Sequence, residues 1–86
     1  VFNDLGCTPS EAQNLLIRSD MMIYIRDLIT RQKLSQVEAA RLFHVTQPRI
    51  SDLARGKIEL FSIDILVTML ERAGIEVEVR LKSKAA

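Results

Sequence analysis

An 86-residue chain has room for one domain with a modest core and none for a second. Its 48% apolar and 27% charged residues are ordinary globular material, with no membrane-spanning run and no signal-peptide pattern. The net charge of +1 argues against nucleic acid on the total, so the distribution of charge along the chain has to decide that question. Because it opens at Val1 rather than a methionine, the chain is expected to be a trimmed part of a longer one. Phe2 and Leu5 pin a short apolar lead, and Gly6 turns it. Cys7 is read as a small packing residue or an exposed thiol of no consequence. As a lone cysteine it has no internal disulfide partner, which suits a reducing cytoplasm. Thr8 and Glu11 form a capping box around Pro9, so a helix starts there, with Ala12, Leu15, Leu16 and Ser19 facing inward. Ser19 or Asp20 is then expected to cap a second helix running to about Gln32, on a stripe of Met21, Met22, Ile25, Leu28 and Ile29. Tyr24 falls at its rim, in water or against a phosphate, and Arg31 and Lys33 complement the dipole at its end.

Residues 35–56 organise the rest. Ser35 and Glu38 make a second capping box, and Ala39, Ala40 and Phe43 recur at helical spacing, the alanines allowing a partner helix to approach closely. His44, Val45 and Thr46 form a turn, with Val45 plugging the gap beneath it. Thr46 is placed to cap a further helix, where Pro48 is tolerated in the first turn. Ile50, Leu53 and Ala54 give that helix a buried stripe, and Gly56 suits the left-handed position that ends it. The opposite face carries Gln47, Arg49, Ser51, Asp52 and Arg55. Gln can bond an adenine edge, Arg a guanine edge, and Asp can accept from cytosine, so this face has the chemistry to read double-stranded DNA. Charge agrees. Residues 31–57 balance at +4, with Arg31, Lys33, Arg41, Arg49, Arg55 and Lys57 against Glu38 and Asp52. Residues 1–30 balance at −2 and residues 58–86 at −1.

Gln36, Ala40, Val45, Gln47, Ile50, Leu53 and Gly56 together resemble the helix-turn-helix of the phage-repressor (Cro/C1, or XRE) family. The resemblance implies a mainly α, compact, lambda-repressor-like helical bundle. It also implies that Gln47 touches bases while Gln36 contacts a phosphate and braces it. The chain departs from the pattern at His44, where the family often has glycine; His accepts a left-handed backbone better than a β-branched residue does. The N-terminal lead is similar to that of an XRE branch that includes antitoxin-like regulators.

Beyond Gly56, Lys57 is a candidate phosphate contact, and Ile58, Leu60 and Phe61 are three apolar anchors of a loop. Ser62 caps a last helix that ends at Ala73 with Gly74 as its stop, on a core stripe of Ile63, Leu66, Met69, Leu70 and Ala73. Ile65 and Val67 lie off that stripe and point to a second buried surface. Residues 75–82 alternate apolar and charged, a half-buried strand that needs a partner. The expected partner is the same strand of a second copy, closing a homodimer through Ile65, Val67, Ile75, Val77, Val79 and Leu81. The competing partner is the sheet of another protein.

Enzyme chemistry finds no support. His44, the one histidine, falls in a turn, no Ser or Cys nucleophile has an orienting third group, and the three glycines stand at turns. Asp64, Glu71, Glu76 and Glu78 form no metal-ligand pattern with His44 or Cys7, so neither metal nor cofactor is expected. The reading is one domain over residues 1–86: a cytoplasmic, homodimeric DNA-binding regulator that represses from an inverted repeat. Gln47, Arg49, Ser51 and Asp52 are the expected base readers, and Gln36, Arg41, Arg55 and Lys57 the phosphate contacts. The alternative is an antitoxin that binds a small ribonuclease toxin and regulates its own promoter.

Overall fold

The computed structural model describes residues 9–81 and, among them, places α1 (Pro9–Arg31), α2 (Gln36–Phe43), α3 (Gln47–Ala54), a 3-10 turn (Ile58–Leu60) and α4 (Ile63–Arg72). The lead carrying Phe2, Leu5 and Cys7 lies outside the described residues.

The two N-terminal helices expected from the sequence are one helix of 23 residues. The cap signal at Ser19 and Asp20 loses to an unbroken period. Ala12, Leu15, Ser19, Met22, Ile25 and Ile29 follow one another three or four residues apart, all buried or half-buried. No Gly or Pro interrupts residues 10–31. Leu16, expected inside, is 58% exposed, because it lies one position off that stripe.

One hydrophobic cluster joins every helix: Met22 and Ile25 of α1, Ala39 and Phe43 of α2, Ile50 and Leu53 of α3, then Phe61, and Leu66, Met69 and Leu70 of α4. Phe61 and Ile58 anchor the loop before α4 as expected, but Leu60 is exposed.

All four helices end in the same way. The left-handed residues Lys33, His44, Gly56 and Gly74 follow the last turn at φ 53°, 55°, 74° and 81°. In each case the next residue's N–H reaches back five positions: Leu34 to Ile29, Val45 to Ala40, Lys57 to Asp52, and Ile75 to Leu70, at 2.9–3.1 Å. Two of these positions are glycines and two carry a Cβ that disfavours the conformation.

After Gly74 the chain runs along the body without secondary structure, and residues 75–81 form no strand. A strand exists only as one rail of a ladder, and the described residues offer no second rail. Ile75 and Val77 pack against the core of their own chain, whereas Val79 and Leu81 stand clear at 75% and 92% exposure. Ile65 and Val67, both half-buried, flank the core stripe of α4 on opposite sides, roughly 160° apart at 100° per residue, so they do not share one surface.

Candidate nucleic-acid interface

The start of α2 fixes the first part of the site. Ser35 caps it: its hydroxyl accepts from the Glu38 N–H at 3.1 Å, and Glu38 Oε1 accepts from the Ser35 N–H at 2.9 Å. The Ser35 N–H, the Ser35 hydroxyl and, more weakly, Arg41 hold the Glu38 carboxyl below its ordinary pKa. This leaves Gln36, the first residue of α2, exposed beside the start of α3. There Gln47 Nε2 donates to Gln36 Oε1 at 3.4 Å, a bridge between the first residues of the two helices.

Thr46 holds the N-cap position of α3 but makes no side-chain cap bond, contrary to the sequence reading. Pro48 removes one of the two amides that such a cap would use. The other, Arg49 N–H, is taken by the Thr46 carbonyl at 3.1 Å.

At 100° per residue, Gln47, Ser51, Arg55, Pro48 and Asp52 span an arc of roughly 140° opposite the buried Ile50 and Leu53. Arg49 lies outside that arc, half-buried on the flank that faces the 3-10 turn. Its Nη1 donates to the Leu60 carbonyl at 2.9 Å, and its guanidinium sits 5.3 Å from the centre of the Phe61 ring. Asp52 lies 3.8 Å from Lys57 Nζ, so these two expected contacts partly neutralise each other. The Arg55 side chain is exposed and makes no hydrogen bond or ion pair to another described residue. Arg41 is exposed as well, but roughly 140° around α2 from Gln36, and is not gathered with the others. Tyr24 lines a groove with residues 75–80, on the side of α1 that carries the tail.

Two arginines of α1 were not read from the sequence as part of this region. Arg26 brings its Nη1 to 4.0 Å from where a Cβ on Gly56 would stand, and it lines a groove with Gln36, Ile50 and Ala54. It therefore adds positive charge beside the end of α3. Arg18 reaches the same loop from within, with Nη1 donating to the carbonyls of Ile58 at 3.2 Å and Phe61 at 3.4 Å. Neither has a local signal, since their partners lie 30 to 43 residues away in the chain.

Two short helices joined by a three-residue turn, the second with a polar outward face, are thus fixed by one core. The family described as "Helix-turn-helix domain" matches residues 1–82. The chain belongs to this helix-turn-helix family. A search of curated proteins gave no match. A helix-turn-helix domain suggests a DNA-binding regulator. In the helix-turn-helix of this chain, the left-handed residue of the turn is His44, whose carbonyl accepts from Arg72 Nη1 of α4 at 3.0 Å. That bond ties the turn to the helix behind it. Among the described residues, no helix is long and apolar enough to cross a membrane.

Proposed function

We propose that this chain is a sequence-specific, cytoplasmic, non-catalytic transcriptional regulator of the XRE type, a repressor that binds an inverted repeat as a homodimer. The observation that carries the DNA reading is the polar side of α3 and its C-cap, opposite the buried Ile50 and Leu53, where Gln47 and Arg55 are exposed, Ser51 is half-buried and Gln36 braces Gln47. Gln47 and Ser51 read base edges near the start of the helix, where major-groove contacts concentrate. Arg49 and Asp52 contribute by exchanging their contacts with the Leu60 carbonyl and Lys57 for bases. Gln36, Arg55 and Lys57 hold phosphates, Arg41 adds to the field, and Arg26 joins them from α1; these contacts supply most of the salt-dependent affinity. In a two-fold dimer the recognition helices lie about 34 Å apart, one turn of DNA.

The test is selection of random duplex DNA by the purified protein, read by sequencing, with Gln47→Ala alongside. The expected result is an inverted repeat with half-sites about one helical turn apart, and loss of preference at one position of each half-site in the variant. No enriched sequence at moderate salt overturns the reading.

A further inference from the structure

The tail leaves a surface whose complement is written in its own sequence. Residues 76–81 make no backbone hydrogen bond to another described residue. Their alternation continues the apolar face that Ile75 and Val77 press onto the core, so Val79 and Leu81 extend it into solvent. The other face carries Glu78 and Arg80, which pair with each other at 2.9 Å.

We propose that the tail pairs antiparallel with the tail of a second copy in a single register, with the two-fold axis at Val79. The proposal rests on the homodimer of the preceding reading and specifies how it is made. An antiparallel pair about residue 79 sets Val79 against itself once, and Val77 against Leu81 and Glu78 against Arg80 twice each by symmetry. The sequence extends the scheme by setting Glu76 against Lys82, which lies beyond the described residues. Over residues 76–82 every charged residue then faces its opposite and every apolar residue an apolar one.

The alternatives fail on charge or on face. Centring on Glu78 or Arg80 sets that charge against itself, centring on Val77 opposes Glu76 to Glu78, and centring on Leu81 opposes Arg80 to Lys82. Parallel pairing in register opposes each charge to its own copy. A slip of one residue sets charged side chains against apolar ones. The body supports the same register. Ile17, Met21, Tyr24, Leu70, Val77 and Val79 line an open groove of about 460 Å³ between α1 and the tail. A register centred on Val79 brings Leu81 of the second copy beside Val77, at the edge of this groove. There the most exposed large apolar side chain of the described residues finds cover.

The register is tested by cysteine cross-linking in a Cys7→Ser background, with sedimentation equilibrium of the unsubstituted chain beside it. Directly opposed antiparallel residues have Cα atoms about 4.5–5.5 Å apart, within disulfide reach. Val79→Cys is therefore expected to cross-link to itself. Val77→Cys and Leu81→Cys should each fail alone, since their copies stand about 14 Å apart along the ribbon, and should cross-link when mixed. Glu78→Lys and Arg80→Glu should each weaken the dimer about tenfold, and an equimolar mixture of the two should recover it as a heterodimer. A chain that sediments as a monomer and cross-links at none of these positions overturns the homodimer itself. A dimer that cross-links through Val77→Cys or Leu81→Cys alone, or is indifferent to both charge changes, overturns the register and leaves the homodimer standing.

Discussion

Replacing Arg49 by alanine should act twice, on stability without DNA and on specificity with it. In the free chain the guanidinium donates to the Leu60 carbonyl at 2.9 Å and lies 5.3 Å from the Phe61 ring centre. A hydrogen bond from a half-exposed cation contributes about 1 kcal/mol, and the ring contact about 0.5 kcal/mol. Loss of both, about 1.5 kcal/mol, lowers the Tm of a domain of this size by about 6–12 °C. Arg49→Lys keeps the charge but not the planar fork, and should recover less than half of that loss. Circular dichroism melts of the three proteins measure this term. Fluorescence anisotropy on the selected site and on a scrambled duplex, at a temperature where all three are folded, measures the other. There Arg49→Ala should cost about 1–3 kcal/mol on the selected site and much less on the scrambled one. A Tm within about 2 °C of the parent, roughly a third of a kcal/mol, refutes the strut between α3 and the 3-10 turn. Equal loss on both duplexes refutes base reading by this side chain.

His44→Gly should raise stability by about 0.5–1 kcal/mol, because the left-handed penalty of a Cβ outweighs the extra freedom of glycine when unfolded. The bond to Arg72 uses the His44 carbonyl and survives the change, so a melt that moves down removes the strain argument. Lys57→Ala should weaken binding to all sequences alike and reduce the slope of log affinity against log salt by about 1; a sequence-selective loss would show that Lys57 is not a phosphate contact. The folded-state pKa of Glu38 is lowered, so its cap adds stability that is fully present above the ordinary carboxylate range and lost as pH falls through the lowered value. Glu38→Gln should accordingly flatten stability against pH on the acid side, as read by urea denaturation; an unchanged slope there refutes the cap's ionic contribution.

Much of the fold was legible because its signals are short-range. Ser35 with Glu38, Ser62 with Ile65 N–H, and Gly56 and Gly74 act within one turn of where they stand. Ala39, Phe43, Ile50, Leu53, Leu66, Met69 and Leu70 carry the helical period and are all buried. The misreadings arose where two local signals competed or a partner was remote. A polar pair at Ser19 and Asp20 looked like a cap until the stripe on either side proved to be continuous. Thr46 looked like a cap, but its neighbour Pro48 had removed one of the two donors. Of the four residues expected to read bases, the direction of two was not legible, since Arg49 and Asp52 turn to Leu60 and Lys57.

The sequence by itself determined the helical segments from Gln36 onward, their ends, the polar face of α3 and their buried stripes, except that Ala54, expected inside, is exposed. Those properties depend on dihedral preference and a 3.6-residue period, which any few consecutive residues express. Tertiary structure alone decided that Gln36 meets Gln47, that Arg18 and Arg49 hold the 58–61 turn from two sides, and that Arg26 stands beside Gly56. It also decided that the tail uses Ile75 and Val77 on its own core and leaves Val79 and Leu81 uncovered. Each of these depends on where a distant backbone comes to rest, and no local propensity carries that information.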